Sequence, residues 1–61
     1  MKYYKVTLSS GGACYHESKR SLSDSAVLRE LIDFGEIDPT DIDDETDVEQ
    51  ISEEVYEENC F

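Results

Sequence analysis

The stretch LSDSAVLRELIDFG, Leu22 to Gly35, decides the fold. Ser23 is a good helix N-cap, Asp24 sits where a helix dipole favours an anion, and Leu22 before the cap can staple onto Val27. Val27, Leu28, Leu31, Ile32 and Phe34 fall on one side of a 3.6-residue wheel, while Ser25, Arg29, Glu30 and Asp33 take the other. Gly35 is the C-cap expected after the last apolar position. The spacing predicts an amphipathic helix over 24–34 whose apolar side needs something to cover.

The residues before it supply that surface. Tyr4, Val6 and Leu8 alternate with Tyr3, Lys5 and Thr7, a period of two that reads as a half-buried strand. Ser9-Ser10-Gly11-Gly12 is a turn, and Ala13 to Ser18 returns as a second strand, giving a hairpin over 2–18. A two-residue turn at Ser10-Gly11 sets Val6 opposite Tyr15 and buries both with Tyr4. A three-residue loop flips that face, so the register stays open. A lone hairpin is barely stable in water, and the helix is its cover.

Beyond Gly35 the chain turns acidic. From Glu36 to Glu45 it reads as a loop, broken by Pro39 and anchored by Ile37 and Ile42. Thr46 and Glu49 have the spacing of a capping box, and Val48, Ile51 and Val55 share a helical stripe. A second amphipathic helix over 47–58 is preferred. The alternative is a short third strand near 47–51, followed by a helix capped by Ser52. The expected fold class is a single small α+β domain over 1–61: hairpin, helix, acidic loop 36–45, second helix.

The 61 residues carry 16 acids and five bases, and 14 of those acids lie between Glu30 and Glu58. No Lys, Arg or His occurs from Glu30 onward, so the net −11 divides into +3 up to Arg29 and −14 beyond it. Such a chain repels nucleic acid and anionic membranes and attracts basic surfaces. It lacks a signal peptide's apolar run and any stretch of about 20 apolar residues, so a cytoplasmic location is expected. A chain this short buries only about 60% of its unfolded surface, which keeps a homodimer open as a source of stability. Cys14 and Cys60 are expected to be free thiols acting as small apolar fillers.

Catalysis is not expected. Solvated carboxylates on a loop and a helix lack the pocket that would separate their pKa values. Cys14 and His16 point the same way from a strand, where such neighbours more often share solvent than form a couple. With Cys60 they make three ligands, short of a structural zinc's four, and no cofactor is implied. An EF-hand frame starting at Asp43 would put Val48 where the loop requires glycine.

The charge array itself remains. On the helical reading Glu49, Glu53 and Glu57 recur about 6 Å apart, a spacing comparable to a row of phosphates. We therefore expect a small acidic inhibitor, a nucleic-acid mimic that fills the basic cleft of a DNA- or RNA-handling protein. Its partner-binding residues would be Asp47, Glu49, Glu53, Glu54, Glu57 and Glu58, supported by Asp41, Asp43, Asp44 and Glu45. Tyr3, Tyr56 and Phe61 are candidate apolar anchors, weighed against ordinary packing. The alternative is an assembly module that dimerises through the hairpin, its acids serving only solubility.

Tyr4, Val6 and Thr7, with Ser21-Leu22-Ser23-Asp24 and Val27-Leu28, resemble the small phage-encoded inhibitor of uracil-DNA glycosylase over roughly residues 3–28. That family's members are acidic dimers that occupy the enzyme's DNA-binding cleft, so the resemblance implies an inhibitor of phage origin. The family's gripping phenylalanine after the Ser-Asp pair is Ser25 here, and no gripping residue is carried over.

Overall fold

The computed structural model describes residues 1–60, the side chain of Cys60 excepted. Strand β1 (Lys2–Thr7) pairs antiparallel with β2 (Ala13–Ser18), and the turn between them sets the register. A two-residue turn at Ser10-Gly11 would demand positive φ at Ser10, and no non-glycine residue among those described adopts it. Gly11 alone does, at φ 97°, so Ser9, Ser10 and Gly11 form a three-residue loop. It is closed by the Leu8 N–H donating to the Gly12 carbonyl at 2.8 Å. Val6 consequently faces Cys14 and Tyr4 faces His16. The open register thus resolves to the three-residue loop rather than the pairing of Val6 with Tyr15: Cys14 and His16 turn toward the core, and Tyr15 faces away.

Helix α1 (Asp24–Asp33) starts as expected, with the Ser23 hydroxyl accepting the Ala26 N–H at 3.3 Å. Val27 and Leu31 are fully buried against Tyr4 and Val6, with Leu22, Leu28 and Ile32 packed around them. The Tyr4 hydroxyl accepts the Leu22 N–H at 2.9 Å, tying the central strand to the residue just before the cap. Gly35, at φ 78°, lets the Glu36 N–H reach back to the Leu31 carbonyl and close the helix. Phe34 departs from expectation. As the cap residue it lies past the last full turn, and its ring is 67% exposed rather than in the core.

Ile37 is buried and Ile42 half-buried, so both isoleucines anchor the acidic loop. Asp38 caps a single 3-10 turn at Pro39–Asp41 by accepting both the N–H and the hydroxyl of Thr40.

The single helix over 47–58 does not form. Strand β3 (Asp47–Ile51) pairs antiparallel with β1, Val48 opposite Val6 and Ile51 opposite Tyr3, and helix α2 (Glu53–Cys60) follows. This is the strand-then-helix alternative, and two physical reasons favour it. A bare hairpin leaves one side of β1 with unpaired backbone groups, which β3 satisfies. In addition, the Thr46 hydroxyl that would cap a helix is engaged by Asp43, whose N–H it accepts at 3.0 Å. Ser52 caps α2 instead, accepting the Val55 N–H at 3.2 Å. Replacing Ser52 with alanine should cost about 1 kcal/mol in urea unfolding, because an eight-residue helix has little stability of its own.

The result is a small α+β fold, ββαβα in order, with the three antiparallel strands arranged β2-β1-β3. Helix α1 covers one face of the sheet. Tyr56 brings α2 onto the other, its ring 4.6 Å from Tyr3 and 6.4 Å from Tyr15 between centroids. Among the described residues no helix is long and apolar enough to cross a membrane.

Candidate functional site

Alternation along β3 separates its side chains. Val48 packs with the core, so Asp47, Glu49 and Ile51 share the opposite face with Tyr3, Lys5 and Thr7. That face meets α2, and three carboxylates gather around the Tyr3 phenol there. Partial burial, then the charges of Glu53, Glu17 and Glu57, raise the pKa of this hydroxyl above the usual tyrosine range. By its place in the chain Glu17 belongs to the basic front half. Its cross-strand pairing with Tyr3 brings it into the acidic group, and only the hairpin register could have revealed that.

The expected ladder of Glu49, Glu53 and Glu57 on one helix is broken. Glu49 lies on β3 opposite Lys5, while Glu53 and Glu57 stay one turn apart on α2, as do Glu54 and Glu58. Asp47 opens β3 opposite Thr7. All six of these acids are exposed. Asp41 ends the 3-10 turn, and Asp43, Asp44 and Glu45 form the bend leading into β3, away from α2 in the chain's path. Tyr56 is half-buried between Tyr3 and Tyr15, so Tyr3 and Tyr56 pack on each other rather than project as anchors. Phe61 and the Cys60 side chain lie outside the described residues.

Asp43 serves the fold. Its carboxylate accepts the Ser9 hydroxyl, which joins the acidic bend to the hairpin turn, and the Glu45 N–H at 2.9 Å. Those bonds, the Ser9 one foremost, hold its pKa below the usual aspartate range. Asp38 is lowered in the same way by its backbone and side-chain bonds from Thr40. A depressed folded-state pKa contributes stability that is complete above the unfolded value and lost as pH falls through the folded one. Asp43→Asn should therefore lower the urea midpoint near neutral pH. The difference from the parent should shrink once pH falls below about 3.9.

Across the described residues the one acid–base pair within 4 Å is His16 with Glu30, Nε2 to Oε1 at 3.0 Å. Every carboxylate on β3 and α2 is therefore without a cationic partner at that range. No family model, curated protein or solved structure matches this chain.

The inward-facing pair also corrects an expectation. His16 is 6% exposed and bonded to Glu30 rather than sharing solvent with Cys14. Cys14 is a half-buried free thiol whose pKa is pushed up by burial first and then by Glu36 and Asp41. That disfavours the reactive thiolate. The EF-hand frame from Asp43 to Glu54 is not a loop, because β3 runs through its middle. Among the described residues no group of three His, Cys, Asp or Glu side chains is placed to hold a metal ion.

Proposed function

We propose that this chain is a small, non-enzymatic inhibitor, a nucleic-acid mimic that occupies the basic cleft of a DNA- or RNA-handling protein. The observation that carries the reading is the set of exposed carboxylates on β3 and α2. Among the described residues none has a cationic partner within 4 Å, and only Glu49 faces a lysine across the strands. The Tyr3–Tyr56–Tyr15 cluster holds α2 to the sheet. The four carboxylates of α2, Glu53 to Glu58, span about 7.5 Å of helix axis. That is one charge per roughly 2.5 Å of axis, between the roughly 1.7 Å of both strands and 3.4 Å of one strand of duplex DNA. A cleft that binds phosphates through Lys and Arg would meet a comparable charge density already fixed in space. Preorganisation matters here, because isolated exposed ion pairs contribute little each.

The resemblance of residues 3–28 to the glycosylase inhibitor points the same way and favours a cytoplasmic, phage-encoded protein without cofactor or direct contact to nucleic acid. The test is capture from lysate on the immobilised chain at about 50 and about 200 mM salt, followed by competition with duplex DNA. Captured proteins should be nucleic-acid binders that both salt and duplex release. Retention indifferent to both would overturn the proposal. One observation favours the assembly reading, namely that β2 is an edge strand with backbone groups free to pair with a second copy. Salt-independent dimers in sedimentation, unaffected by charge reversal on α2, would select it.

A further inference from the structure

The C-terminal end of α1 combines two features that each cost stability. A large aromatic ring, Phe34, is 67% exposed. Asp33 and Glu36 flank it in the chain, with no basic residue in the last turn, although the carbonyl end of a helix is already negative and favours cations. A lone exposed apolar side chain is ordinary. This one stands on a fixed backbone and has a ring neighbour. The Phe34 N–H donates to the Glu30 carbonyl at 2.9 Å, Gly35 to Ile32 at 3.0 Å and Glu36 to Leu31 at 2.9 Å, and the ring leans on the buried His16 imidazole with centroids 5.8 Å apart. A side chain that starts from a fixed backbone and rests on a neighbouring ring loses less entropy on binding than one on a mobile loop, which suits it to act as an anchor.

We infer that Phe34 is the apolar anchor of a second contact surface, which receives an amphipathic cationic segment of a partner protein. An apolar side chain of the partner would pack on the ring while its Lys or Arg groups meet Asp33 and Glu36. The inference rests on the reading of this chain as a protein-binding inhibitor and adds a contact at α1, remote from the α2 carboxylates. Charge selects the occupant. A second copy, itself at −11, would set like charges around the same ring.

The probe is a synthetic amphipathic peptide of leucine and arginine, titrated into the labelled protein and followed by amide chemical shifts. A control peptide replaces each leucine with serine and keeps the charge. Shifts for the leucine peptide should centre on residues 33–36. Phe34→Ala should weaken binding about tenfold with an unchanged melting temperature, and Phe34→Leu should recover part of the loss. Asp33→Lys with Glu36→Lys should weaken it as well. Equal binding of both peptides with shifts only over 49–58, and no effect of Phe34→Ala, would overturn the anchor while leaving the acidic-face reading standing. No binding by either peptide would remove both.

Discussion

Replacing Leu31 with alanine yields a chain that is largely unfolded at room temperature. Leu31 has no exposed surface and is the largest of the three fully buried side chains, the other two being Val6 and Val27. Truncating such a leucine costs about 2–5 kcal/mol, part from lost burial and part from the cavity left behind. A core this small in a domain of this length rarely supplies more than about 3–5 kcal/mol in total, so the loss consumes most of the stability. Far-UV circular dichroism should show helix and sheet disappearing together. Ile42→Ala, at a half-buried position, should retain a cooperative transition. Concentrated salt should restore part of the Leu31→Ala fold, because screening relieves the mutual repulsion of the carboxylates.

Reversing Glu53 and Glu57 to lysine should abolish capture of a basic partner while the fold persists. Both side chains are exposed, and with Glu17 they crowd Tyr3, so the change relieves repulsion inside the free protein. Against that, Glu53 loses a favourable place in the first turn of α2, worth about 0.3–1 kcal/mol. The two effects nearly offset, and the unfolding midpoint should move little. Binding has no such offset. Net charge rises by four units, from −11 to −7, and two attractive contacts become repulsive. Couplings between close interfacial charges run to about 1.5 kcal/mol and above, so losing both implies at least about a hundredfold weaker binding. Surface plasmon resonance against the captured partner checks this. Wild-type affinity should fall steeply with salt, and the variant should show neither the affinity nor the slope. Glu49 is a poorer choice for reversal, because a lysine there would sit opposite Lys5 on the neighbouring strand.

Features set by local pattern were legible in the sequence. Ser23, the Val27–Leu31 spacing and Gly35 define α1 from within a few residues of each other, and Ile37 and Ile42 stand out in an acidic run. Features set by distant parts of the chain were left open as alternatives or were missed. The hairpin register turns on which single residue takes positive φ, a one-residue difference that exchanges Tyr15 for Cys14 and His16 on the core face. Residues 47–51 become a strand because the far side of β1 needs backbone partners, a demand absent from their own capping-box pattern. Thr46 is drawn away from capping by Asp43. The acidic group on α2 recruits Glu17 across the sheet, and Phe34, placed on the apolar stripe by its angle, falls just beyond the turn that would have buried it.

Mimicry of a phosphate row requires residues 47–59 to be a folded surface in the unbound protein, so that their carboxylates are fixed in space. Backbone heteronuclear NOE values measured on the free chain test this most directly. Values for β3 and α2 equal to those of the hairpin, with slow amide exchange in β3, are the predicted result. Values falling toward those of a free tail beyond Pro39 would contradict it.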